Sequence, residues 1–192
     1  MIHIFIYKFV GDCDHEWLKS FEYDEAVKKA ELLFDVGKPL LIKKHENGKP
    51  YFVYKDYMEN PGVCFSISHS KNILLLALSD MNIGIDIEYV MKKHDGVIGK
   101  CFLTGEKNYV LGGKNKTEQN ERYYEVWTRK EACVKYSGTG IDKNLKKTDV
   151  FAKDLAGLLK TFRYEDFVVS VRLSLPDDII KIYSSEEKKV VF

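Results

Sequence analysis

Neither sign of charge is in excess: 30 Lys and Arg face 29 Asp and Glu across 192 residues. That balance argues against a nucleic-acid surface, and short runs such as Lys43-Lys44, Lys92-Lys93 and Lys146-Lys147 read as solvated surface. Cysteine is sparse. Cys13, Cys64, Cys101 and Cys133 stand far apart with no Cys-x-x-Cys pair, which excludes a disulfide framework or a zinc site of ordinary spacing. Long apolar runs are missing too, so no segment is expected to cross a bilayer. Met1 to Val10 is apolar but short, without a basic leader or cleavage site, and reads as a strand rather than a signal peptide. The expectation is a monomeric cytoplasmic protein with no nucleic-acid or membrane partner. Also absent are a P-loop, a Rossmann glycine fingerprint and a Gly-x-Ser-x-Gly elbow. Any phosphate bound here must be met by metal and basic side chains.

What the chain does have is core material. It is 45% apolar and rich in Tyr and Phe. Residues 2–9 alternate as a strand. Trp17, Leu18, Phe21, Val27, Ala30, Leu33 and Phe34 recur at helical spacing, and Gly37 and Pro39 end that run. Asn47-Gly48 between Pro39–His45 and Tyr51–Tyr54 marks a hairpin. Val63–Ser68, Ile73–Ser79 and Ile83–Glu88 are three further strands of a mostly antiparallel sheet. Beyond residue 95 the pattern predicts helices over Phe102–Leu111 and Arg122–Tyr136, the latter stopped by Gly138 and Gly140. A polar loop, Gly112–Gln119, lies between them. Strands Phe167–Leu173 and Ile179–Tyr183 close the chain around Pro176-Asp177-Asp178. Each half thus offers helix and paired strands. The expected fold class is α+β, with an N-terminal lobe over 1–95 and a C-terminal lobe over 96–192.

Within Gly84-Ile85-Asp86-Ile87-Glu88, strand alternation sends Asp86 and Glu88 to one face and Ile85 and Ile87 to the other. Two neighbouring carboxylates repel, and a divalent cation relieves that cost; oxygen ligands suit magnesium, with manganese as the alternative. The same alternation also describes a strand with a solvated acidic face. On the second helix, Trp127, Glu131 and Lys135 share a face at spacing four. They fit an ordinary ion pair beside a core aromatic, or a third metal ligand or general base at Glu131 with Lys135 reaching toward phosphate. Ser68-His69-Ser70 is no nucleophile pair, because Ser68 and His69 point to opposite faces of their strand. His69 suits a polar ligand contact or a structural role.

Taken in order, Gly48-Lys49-Pro50, Phe65-Ser66-Ile67-Ser68-His69-Ser70, Gly84-Ile85-Asp86-Ile87-Glu88 and Trp127-Thr128-Arg129-Lys130-Glu131-Ala132-Cys133-Val134-Lys135 form a series. It resembles the motifs of 4′-phosphopantetheinyl transferases, closer to the surfactin-synthetase-activating branch than to the short trimeric holo-acyl-carrier-protein synthases. The resemblance implies two similar α+β lobes with the active site between them. Asp86, Glu88 and Glu131 would hold magnesium, and Glu131 would also act as general base. Lys135 would contact the pyrophosphate of coenzyme A, Ser68 and His69 the nucleotide phosphates, and Lys49 the nucleotide end. The implied reaction carries phosphopantetheine to a serine of an apo acyl or peptidyl carrier protein. The 112–119 segment is a candidate carrier contact. A relative that binds without turnover, and a plain scaffold domain, are the competing expectations.

Overall fold

The computed structural model describes residues 1–10, 15–56, 58–139, 145–184 and 188–189. Cys13 and Gly140 fall outside them. Four layers follow one another. The first holds helix α1 (His15–Leu33) and the hairpin β2 (Leu40–Lys44) and β3 (Pro50–Tyr54). The second is a sheet built on β1 (Ile2–Val10), which pairs antiparallel with β5 (Ile73–Ser79). In turn β5 pairs antiparallel with β4 (Cys64–Ser70). The third is an antiparallel sheet in the order β6 (Gly84–Tyr89), β8 (Phe167–Arg172), β7 (Leu159–Tyr164). The fourth is helical, with α2 (Asp95–Cys101), α3 (Thr104–Leu111) and α4 (Lys116–Ser137).

Strand alternation explains the layering. Ile2, Ile4 and Ile6 of β1 and Ile73, Leu75 and Ala77 of β5 meet Ile85 and Ile87 of β6 and Val169 and Val171 of β8 between the sheets. The opposite residues of the first sheet, Phe5, Tyr7, Phe9, Leu74, Leu76 and Leu78, pack under α1 and the hairpin. Behind the second sheet, Val168 meets Phe102, Tyr123, Tyr124 and Val126 of the helical layer. These side chains are buried almost without remainder, and burying an aliphatic or aromatic chain is worth about 1.5–3 kcal/mol.

Several expectations change. The strand β6 does not join the sheet of β4 and β5, and β8 does not pair with the strand after it. That strand, β9 (Ile180–Ser184), returns to run parallel with β1, as does β10 (Lys188–Lys189). A boundary near 95 therefore follows chain order, while the sheets exchange strands across it. The polar segment read as a loop over 112–119 is helical from Lys116, because the Asn115 side chain accepts the Glu118 amide and caps α4. The strand β7 was not anticipated; it closes a hairpin with β8 through Glu165, whose φ is 49°.

Candidate functional site

Two edge strands, β4 and β6, face each other where the sheets meet, and α1 and α4 close over them. Between these elements lies a cavity of about 720 Å³, lined by Glu22, Ser68, His69, Asp86, Glu88, Trp127, Glu131 and Lys135 among others. An adjoining depression of about 780 Å³, around His45, Tyr51 and Asn60, shares Lys49 and Gly138 with it.

The close approach of β6 to α4 begins at Gly84. A Cβ there would stand 2.0 Å from the Ala132 carbonyl oxygen and 2.6 Å from the Tyr136 amide nitrogen, both backbone atoms. Only glycine admits that contact. Two and four residues further on, Asp86 and Glu88 emerge on the helix side of the sheet. Helix α4 brings Glu131 and Lys135 to meet them, and it ends at Gly138, which adopts φ 67° as its left-handed cap.

Asp86 is 4% exposed. Its Oδ1 accepts from Lys135 Nζ at 2.8 Å and from Ser68 Oγ at 2.8 Å. Its Oδ2 is the one buried side-chain oxygen or nitrogen among the described residues without a hydrogen-bond partner, an exception of the kind that asks for an explanation. Burial pushes the Asp86 carboxyl up from the usual carboxylate range, with Lys135 opposing. Glu88 is also raised, by burial and then by the charge of Asp86, although Ser70 and Trp127 donate to it. Glu131 is raised to about 7, by burial first, then by Asp86; Lys135 again opposes. Three mutually repelling carboxyl groups thus lie in one cavity, with the Lys135 ammonium opposing the rise in each.

As the side chains stand, no three His, Cys, Asp or Glu residues among those described are grouped closely enough to hold a metal. The donor set nonetheless fits a hard divalent cation, since the groups are carboxylates and one buried carboxylate oxygen is unpartnered. Asp86 and Glu88 stand on β6 and Glu131 on α4, two directly packed elements.

The remaining expected residues separate. Ser68 is buried, and its hydroxyl serves Asp86 and the Ile87 amide. His69, exposed, faces the other way and lines the cavity rim. Lys49 donates to Asn82 Oδ1 at 3.0 Å and to the Tyr136 carbonyl at 2.8 Å, which ties the hairpin to the last turn of α4; burial lowers its ammonium below the usual lysine range. Asn47 adds a hydrogen bond to the Gly138 carbonyl. Sequence reasoning missed Glu22, a fourth carboxyl on the cavity wall, raised by burial. Its spacing from Leu18 was visible, but not which element that face would meet. Lys130, present in the motif but given no role there, is fully buried 2.8 Å from the equally buried Glu106 and donates to the carbonyls of Leu145 and Thr148.

Residues 82–183 match the family model of the 4′-phosphopantetheinyl transferase superfamily, so just over half of the chain carries the family pattern and the chain belongs to that superfamily. It is 30% identical over 124 residues to a 4′-phosphopantetheinyl transferase, gsp, of Aneurinibacillus migulanus, covering 60% of this chain and 49% of the relative. A 4′-phosphopantetheinyl transferase of Bacillus subtilis is 34% identical over 109 residues, covering 57% and 46%. The Sfp transferase of Bacillus subtilis strain 168 is 34% identical over 90 residues, covering 47% and 40%. The chain therefore spans about half or less of the length of these relatives. Among the described residues no helix is long and apolar enough to cross a membrane.

Proposed function

We propose that this chain transfers the 4′-phosphopantetheine group of coenzyme A to a serine of an apo acyl or peptidyl carrier protein, releasing adenosine 3′,5′-bisphosphate, with magnesium required. The observation that carries the reading is the cavity itself: Asp86, Glu88, Glu131 and Lys135 line it together, and the buried Asp86 Oδ2 has no partner. The names shared by the relatives support the reaction class. A long helix lies on each sheet, α1 on the first and α4 on the second, which supports the pseudo-twofold, two-lobe arrangement implied by the family resemblance.

Asp86, Glu88 and Glu131 would hold the cation. A bound magnesium would neutralise the pyrophosphate and the charge that develops on the departing adenosine 3′,5′-bisphosphate. Glu131 takes the proton of the attacking serine, as a carboxylate lining the same cavity as Asp86 and Glu88. The serine oxygen forms its bond to the β-phosphorus as the bridging P–O bond breaks, and the electron pair leaves with adenosine 3′,5′-bisphosphate. Lys135 is positioned to leave Asp86 and meet the charge developing on the leaving phosphate. His69 reaches the nucleotide phosphates from the rim. Lys49 reaches the nucleotide end with the third of its N–H groups. Ser68 we assign to holding Asp86, since its hydroxyl is already committed there.

Incubation with coenzyme A, magnesium and several apo carrier proteins, followed by intact mass measurement of the carrier, tests this. A phosphopantetheine adduct is expected. No adduct on any carrier would refute turnover, and binding of coenzyme A alone would then leave a module that holds its ligand without reacting.

A further inference from the structure

The strands β4 and β6 do not share a backbone ladder; serine side chains join them. Ser66, Ser68 and Ser70 alternate along β4, so all three face the second sheet. Ser66 Oγ accepts the Ile85 amide at 3.1 Å, Ser68 Oγ the Ile87 amide at 3.3 Å and Ser70 Oγ the Tyr89 amide at 3.1 Å. The two-residue period is kept on both strands. A hydroxyl that accepts an amide still has one proton to donate. That of Ser68 goes to Asp86 Oδ1 at 2.8 Å, and that of Ser70 to Glu88 Oε2 at 3.1 Å. In both cases the acid held is the residue just before the captured amide. Ser66 makes the same amide contact, but the residue before Ile85 is Gly84, which has no side chain to hold.

We propose that Ser70 is a positioning residue that fixes one oxygen of Glu88 and so sets the geometry in which Glu88 meets a divalent cation. The inference rests on the metal-dependent reading above. Ser66 is its internal control, because it shares the seam contact without a carboxylate.

The test measures Mn²⁺ binding by electron paramagnetic resonance, without nucleotide, in the wild type and in Ser70→Ala, Ser70→Thr and Ser66→Ala, together with urea unfolding of each. Ser70→Ala is expected to weaken Mn²⁺ binding about tenfold, the low end of the usual effect of losing a group that orients a ligand. Ser70→Thr, which keeps the hydroxyl, restores it. Ser66→Ala lowers the unfolding midpoint as Ser70→Ala does but leaves Mn²⁺ affinity at the wild-type value. Equal Mn²⁺ affinities in Ser70→Ala and Ser66→Ala would overturn the inference and leave the transfer reading standing. No Mn²⁺ binding by the wild type would sink the inference and the metal assignment together. The expected Mn²⁺ pattern in a protein that modifies no carrier would uphold the positioning role and remove the transferase reading.

Discussion

Replacing Glu131 by glutamine should change how stability depends on pH. In the folded chain the Glu131 carboxyl is raised from 4.5 to about 7, chiefly by burial and by the neighbouring charge of Asp86. Between those two values the folded state keeps a proton that the unfolded state has released. Stability contributed by this group is therefore full below pH 4.5, falls as pH rises toward 7, and is flat above. The gap between the two values corresponds to about 3 kcal/mol. Asp86 and Glu88 are shifted in the same direction, so the wild type alone would not isolate Glu131. The difference between wild type and Glu131→Gln does. Urea midpoints measured from pH 4 to 8 without metal should diverge, with the glutamine variant gaining relative to wild type as pH rises. Magnesium should cancel most of the wild-type slope, because it binds the ionised native site and stabilises it by mass action. Parallel curves for the two proteins would refute the reasoning, since they would mean that Glu131 feels neither the burial nor the charges assigned to it.

Lys130→Met should lose about 3–5 kcal/mol in urea unfolding, because it leaves Glu106 buried without its partner; the double variant Lys130→Met with Glu106→Gln should recover part of that, and a near-neutral single variant would contradict the pairing. Gly84→Ala should lower the thermal midpoint and weaken Mn²⁺ binding together, since its Cβ drives β6 away from the α4 backbone; a wild-type midpoint would show that the contact can relax. Lys49→Met should cost about 1–2 kcal/mol of stability through its lost bonds at the end of α4, and an unchanged urea midpoint would argue against the clamp.

Local periodicity made much of the site readable. The facing of Asp86 and Glu88 away from Ile85 and Ile87 follows from a period of two, and the shared face of Trp127, Glu131 and Lys135 from a period near four. Both hold in the fold, as does the opposition of Ser68 and His69. What local pattern does not encode is the partner. The apolar face of β6 fits either sheet, and only the long-range pairing of Asp86 with Ser170 places it beside β8. The start of α4 was hidden because residues 116–121 are polar and show no apolar stripe; its signal was the Asn115 cap with Glu118 three residues on. The strand β7 was hidden because its residues are half exposed, so charged and apolar positions mix. The serine seam looked like part of a motif and gave no hint that its hydroxyls would replace a backbone ladder.

The charge count at the seam connects fold to chemistry. Asp86, Glu88 and Glu131 lie together in one cavity, and of the lysines that line it Lys135 is the one ion-paired to them, through Asp86. Without a cation the protein answers by raising the three carboxyls, which holds a proton on Glu131 near neutral pH. A divalent ion held there, as proposed, would favour the ionised acids and release that proton. Lys135 holds Asp86 Oδ1 while Oδ2 has no partner, so a cation taking Oδ2 would share that carboxylate with the lysine. On the proposed reading, a cation held by these acids would weaken the hold of Asp86 on Lys135, which lines the same cavity. The Lys135–Asp86 ion pair thus ties the proposed role of the lysine to the charge state of the acids around it.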